Sequence, residues 1–195
     1  MRELKSIEER ILDRALYLMG IRRTCDIPIR AIAKEASVNV SAINYYFRTK
    51  EEMLRLVKEF YIENTMTVSA ILDSEQYDDE EKLMLAGNEI MEYSLRFPGN
   101  AVLVSDSMKL PEMDDTSKRM IRISDEVGTR LRILLRKVVP GDEAAGNFKY
   151  LIFMSSINYP TQYDGIVYDF GGRLLDEREN RIMYLKMLIK ALKSV

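Results

Sequence analysis

The chain has 195 residues, 47% of them apolar and 31% charged, which is ordinary soluble globular composition and enough length for one domain or two small ones. A net charge of -2 excludes a protein that is a polycation overall, and the absence of histidine removes His-based triads, His metal sites and the usual general base. The single cysteine, Cys25, excludes an internal disulfide and fits a reducing, cytoplasmic setting.

Charge is unevenly spread. Residues 1–55 carry 11 Lys/Arg against 8 Asp/Glu, and residues 56–195 carry 18 against 23. The positive part sharpens between Arg22 and Lys50, with six basic and two acidic residues, as a surface meeting an acidic partner would. The start, MRELKSIEER, has no apolar core and reads as no signal peptide. The longest charge-free run, Tyr150 to Tyr163, is 14 residues and too short to span a bilayer. No GxGxxG, GxxxxGK[ST] or CxxC motif occurs. The acid pairs Asp78-Asp79-Glu80-Glu81 and Asp114-Asp115 stand at helix starts, where carboxylates favour the positive dipole end. These features predict no enzyme, no catalytic or metal residues and no cofactor.

The hydrophobic period is helical nearly throughout, which predicts an all-α fold of about nine helices. Leu4, Ile7, Ile11, Ala15, Leu18 and Met19 step by three and four, with Gly20 as the expected C-cap. A short helix is expected from Pro28, with Ile29, Ile32, Ala33 and Ala36 inward. After a break at Ser37-Val38, a second short helix covers Asn39 to Tyr46. A long helix opens at Thr49, which has capping-box spacing to Glu52, and carries Met53, Val57, Phe60, Asn64, Val68 and Ile71 on one face. Further helices are expected over Asp79–Phe97, Ala101–Lys109, Asp114–Val138, Glu143–Tyr159 (stopped by Pro160) and Leu174–Leu192. The stretch Pro160–Gly172 reads as an apolar loop.

The two short helices have helix-turn-helix spacing: Ile32 and Ala36 inward, Ala33 small where the axes approach, Val38 plugging the turn, Ile43 with Tyr46 and Phe47 on the second helix. Ser37 takes the place where glycine is favoured for a left-handed residue, at a cost of about 1 kcal/mol. In the stretches ERILDRALYLMG, IRAIAKEASVNVSAINYYF and RTKEEM, over residues 7 to 56, the chain resembles the tetracycline-repressor (TetR) family of bacterial transcriptional regulators.

The resemblance implies an N-terminal DNA-binding domain at 1–50 and a helical ligand-binding and dimerisation domain at 51–195. It places Asn39 at the start of the recognition helix and Val40, Ser41, Ala42 and Asn44 toward the major groove. Tyr45 and Tyr46 match an aromatic pair that contacts phosphates and packs below the helix, and Lys50 matches a phosphate-binding lysine; Arg48 lies beside them. Tyr46 and Phe47 are expected mainly as a buried corner, with Tyr45 and Lys50 outward. The family often has Lys, Gly and Tyr where this chain has Val40, Ser41 and Asn44, and Ser or Thr where it has Pro28, so the operator would differ.

The family pattern also implies a homodimer through helices near 143–159 and 174–192, a double-stranded DNA operator as partner and an apolar or amphipathic small-molecule ligand. Candidate pocket residues are Met84, Met91, Tyr93, Met108, Met120, Met154, Asn158 and Tyr159, methionine being adaptable at apolar cavities. Two other readings stay open: a DNA-binding protein of the same fold controlled by a protein partner or unregulated, and a helical ligand-binding or scaffold protein that has lost DNA binding.

Overall fold

The amphipathic periods fold as nine α-helices among the described residues, which are 6–110, 112–162 and 174–194 of the computed structural model (backbone only for 160–162). They are α1 Ile7–Arg22, α2 Ile29–Glu35, α3 Val40–Phe47, α4 Lys50–Asp73, α5 Asp79–Arg96, α6 Gly99–Met108, α7 Asp115–Val138, α8 Glu143–Gln162 and α9 Arg178–Ser194. No strand occurs among the described residues, and no helix there is long and apolar enough to cross a membrane. The chain forms two compact units, residues 1–65 with 96–124 and residues 66–95 with 125–195. Leu4 and the part of the expected Pro160–Gly172 loop from residue 163 on lie outside the described residues.

In the first unit, Ile11, Ala15, Leu16, Leu18 and Met19 bury one side of α1. The helix does not stop at Gly20 as its glycine suggests. It runs to Arg22, and Arg23 takes the left-handed conformation (φ 52), donating to Gly20 O while Thr24 N–H donates to Met19 O. These two bonds are a Schellman cap built without glycine. Gly20 serves a different need, because a Cβ there would stand 2.5 Å from the Pro98 carbonyl carbon. Facing it, a Cβ on Gly99 would stand 2.1 Å from Leu16 O and 2.8 Å from Met19 Cβ. Helices α1 and α6 therefore meet backbone to backbone, an approach only two glycines allow.

The first half of α4 packs beside the start of α7 in the same unit. Lys58 Nζ donates to Asp114 Oδ2 at 2.6 Å and Ser117 Oγ at 2.7 Å, Arg119 reaches Glu59 at 3.0 Å, and Tyr61 Oη meets Ser124 Oγ at 2.8 Å. Asp114 also caps α7 through the Ser117 N–H at 2.9 Å. Burial alone would raise its carboxyl pKa, but the bonds from Lys58 and Ser117 outweigh that and hold it well below the usual carboxylate range.

In the second unit, Val68, Leu83, Ala86, Met91, Val127, Leu131, Leu134, Leu135, Phe153, Ile157, Leu185 and Ile189 form one core. Helix α5 opens with a full capping box: Glu81 N–H donates to Asp78 Oδ1 at 2.8 Å and Asp78 N–H to Glu81 Oε2 at 3.1 Å. Helix α8 passes through Pro160 instead of stopping before it. Proline lacks the N–H that would reach the carbonyl four residues back, and that carbonyl, Ser156 O, accepts the Tyr184 hydroxyl at 2.8 Å instead. Residues 174–177 are a turn, so the last helix begins at Arg178 and not at Leu174. Arg181 holds that turn, donating to Leu175 O at 2.9 Å, Asp176 O at 2.7 Å, Asn88 Oδ1 at 3.0 Å and Glu92 Oε2 at 2.7 Å while 3% exposed.

Candidate nucleic-acid interface

The turn between α2 and α3 is fixed by backbone chemistry. Ser37 has φ 54, and its N–H donates to Lys34 O while the Val38 N–H reaches back to Ala33 O at 3.0 Å. This is a second glycine-free Schellman cap, at the position where the sequence asks for a left-handed residue. Asn39 then caps α3: its Oδ1 accepts the Ala42 N–H at 2.8 Å and the Ser41 hydroxyl at 2.6 Å. The Asn39 amide oxygen is thus engaged inside the module, and Ser41 offers lone pairs outward while its proton points inward.

One side of α3 is locked by Ile43 (2% exposed) and Phe47 (1%). The other is open, with Val40, Ser41, Asn44 and Tyr45 exposed and Ala42 half-buried. Tyr45 stands out at 81%, and its ring meets that of Tyr46 edge-on at 5.3 Å. Tyr46 is 36% exposed, more open than the buried corner expected of it, because Phe47 alone fills the core position. Helix α3 ends at Arg48, exposed with φ 51.

Helix α4 follows at once. Thr49 Oγ1 accepts the Glu52 N–H at 3.1 Å, but the Glu52 carboxylate turns to Arg55 at 2.8 and 2.9 Å, so only half of the anticipated capping box forms. Lys50 is half-buried, and its ammonium pairs with Asp26, which lies in the connection between α1 and α2. The hydrogen bond and charge of Lys50 hold the Asp26 carboxyl below its ordinary pKa. Sequence spacing gave no hint of that pairing, because the two residues are 24 positions apart. Arg22, Arg23, Arg30 and Lys34 are further exposed basic side chains of the same unit.

The candidate pocket residues divide between the two units. Met108, 63% exposed, and Met120, fully buried, belong to the first. Met84, Met91, Tyr93, Met154, Asn158 and Tyr159 belong to the second. There Met91 is core, Met84 and Met154 pack on it, and Tyr93 Oη meets Thr67 Oγ1 at 3.0 Å. Asn158 donates to Met154 O at 2.9 Å, and Tyr159 is 49% exposed. Among the described residues no group of three or more Cys, Asp or Glu is placed to hold a metal.

A short helix with one side locked and the other presented, behind a tight left-handed turn and followed by a basic joint, defines a helix-turn-helix protein. Residues 11–57 match the family described as "Bacterial regulatory proteins, tetR family". The chain belongs to that family, and its all-helical fold is that of TetR-family regulators. Over 83 residues it is 35% identical to the probable HTH-type transcriptional regulator YttP of Bacillus subtilis, covering 41% of this chain and 40% of that protein. Over 107 residues it is 29% identical to the nucleoid occlusion factor SlmA of Vibrio campbellii, covering 54% of each. The chain thus spans about half or less of the length of these curated relatives. The solved structure of AibR in complex with isovaleryl coenzyme A and operator DNA superposes with a TM-score of 0.66 at 13% identity, covering 96% of this chain and 98% of that one, a likeness of fold.

Proposed function

We propose that the chain is a homodimeric transcriptional regulator, a repressor that binds a pseudo-palindromic operator and leaves it when a small molecule is bound. The observation that carries the reading is the outward face of α3, where Val40, Ser41, Asn44 and Tyr45 are exposed on a helix anchored from behind by Ile43 and Phe47. Asn44 suits adenine, Ser41 several bases, and Val40 a thymine methyl. Tyr45, Tyr46, Arg48 and Lys50 surround that face and would meet phosphates, while Asn39 and Ala42 hold the start of the helix. In this reading residues 1–50 bind DNA and residues 51–195 bind the ligand and the second protomer.

One short helix offers few base contacts, so a second copy is needed to span two half-sites. The face available for it is apolar. Phe148, Leu151, Ile152 and Tyr159 form an exposed stripe along α8, and Met183 and Met187 another on α9. The structure of AibR holds both an acyl thioester of coenzyme A and operator DNA, which supports a ligand-coupled reading here. Release requires the ligand to prefer a spacing of recognition helices that no longer fits successive major grooves.

Leu151→Glu tests the dimer and the DNA reading together. Light scattering should show a monomer where the parent chain is a dimer, and affinity for a two-half-site duplex should fall at least about tenfold. A variant that stays dimeric, or a monomer that holds the duplex unchanged, contradicts the proposal.

A further inference from the structure

Asn64 lies on α4 and is 3% exposed, and neither its Nδ2 nor its Oδ1 has a hydrogen-bond partner among the described residues. A buried amide left unpaired is costly, and native interiors rarely keep one without a reason. A second buried amide oxygen without a partner, Asn100 Oδ1, belongs to the same unit, near the start of α6. Both stand within one helical turn of a single aromatic pair: Asn64 follows Phe60 by four residues, Asn100 follows Phe97 by three, and the two rings meet edge-on at 5.4 Å. The remaining core of the unit is apolar in this region, with Leu103 and Met120 buried. Its charged interior groups are engaged elsewhere, Asp13 with Arg14 and Arg96, and Lys58 with Asp114.

We propose that Asn64 and Asn100 are the polar contacts of a ligand site whose occupant is a neutral aromatic or alicyclic molecule bearing a primary carboxamide. The donor and acceptor count selects that group. Two amide oxygens ask for two N–H donors, and the Asn64 amino group asks for one acceptor. A primary carboxamide supplies two N–H groups and one carbonyl. A carboxylate supplies no donor and would set its oxygens against both asparagine oxygens. A hydrocarbon would leave all three groups unpaired. The apolar body of the ligand would lie against Phe60 and Phe97, replacing water there.

The site also reaches the helix-turn-helix within one unit. Asn100 is next to Gly99, whose backbone is pressed on Leu16 and Met19 of α1. A ligand that draws on Asn100 therefore pulls on α1, which packs against α2. This coupling rests on the reading of the chain as a ligand-released DNA-binding protein.

Thermal unfolding of the full chain tests the site, with benzamide, benzoate and toluene as probes. Benzamide should raise Tm with dose, by roughly 3–6 °C at ten times its Kd, while benzoate and toluene leave it unchanged. Asn64→Leu, a near-isosteric apolar change, should raise the ligand-free Tm by roughly 2–6 °C and abolish the benzamide response. The site is overturned if benzamide gives no shift, if benzoate matches it, if Asn64→Leu keeps the response, or if Asn64→Leu lowers the ligand-free Tm. Duplex retention measured on the same samples separates the two claims. A benzamide shift in a chain that binds no duplex leaves the amide site standing and removes the regulator reading.

Discussion

Gly99→Ala is the sharpest stability test of how the first unit is assembled. The added methyl would sit 2.1 Å from Leu16 O, against an ordinary contact starting at 3.4 Å, so α1 and α6 must part by more than 1 Å. A backbone oxygen inside a helix cannot swing aside as a side-chain tip does. Overpacking of this kind costs about 1–3 kcal/mol, and the clash lies at the severe end of that range. At about 2–4 °C per kcal/mol for a chain of this size, Tm should fall by roughly 6–12 °C. Gly128→Ala is the matched control. It lies inside α7, where the new methyl meets only the Tyr150 hydroxyl at 3.4 Å. The same substitution there gains helix propensity of about 1 kcal/mol, so Tm should rise by roughly 2–4 °C. Circular dichroism melts of the three proteins decide it. A Gly99→Ala chain as stable as the parent would refute the backbone contact.

Three further outcomes follow from named contacts. Asp26→Asn should tighten duplex binding about two- to fivefold per half-site by freeing Lys50, and the gain should vanish in a Lys50→Ala background; Lys50→Ala alone should lower the slope of log K against log salt by about 0.9 per protomer. Fluorescence anisotropy across a salt series reads both. Arg181→Met should cost about 3–5 kcal/mol in denaturant unfolding, because Asn88 and Glu92 lose a buried guanidinium and the turn at 174–177 loses its tether. The Asp114 carboxyl has a folded pKa below its unfolded one, so its stabilisation is present above about pH 4 and is lost as pH falls through the folded value. Asp114→Asn keeps the cap but not the charge, so its Tm should fall less steeply than the parent's between pH 4 and pH 2.

Much of the fold could be read from side-chain period alone, because the helices bury one stripe each. In α7, Met120, Ile123, Val127, Leu131 and Leu134 step along the sequence as they do through the core. The left-handed turn residue at Ser37 was legible for a local reason, since five residues of helix-turn-helix spacing converge on it. What failed was whatever depends on distant partners. Gly20 reads as a cap until Pro98 and Gly99 arrive against it from nearly eighty residues away. Pro160 reads as a stop until Tyr184 supplies the donor that proline cannot. Arg181 reads as a surface charge between Asn180 and Ile182, yet it is buried by its bonds to α5 and the preceding turn. In the candidate site, spacing located the exposed face of α3 and the buried Phe47, but not the pairing of Lys50 with Asp26 or the exposure of Tyr46.

The central claim is that the exposed face of α3 reads duplex DNA as a pair. Selection from a random duplex pool by the full-length chain at about 100 mM salt tests it most directly, repeated with Asn44→Ala. The account predicts an enriched inverted repeat with half-site centres about one helical turn apart, two chains per duplex, and altered preference at one position of each half-site in the variant. A pool that stays random, or an identical repeat selected by both proteins, would contradict it.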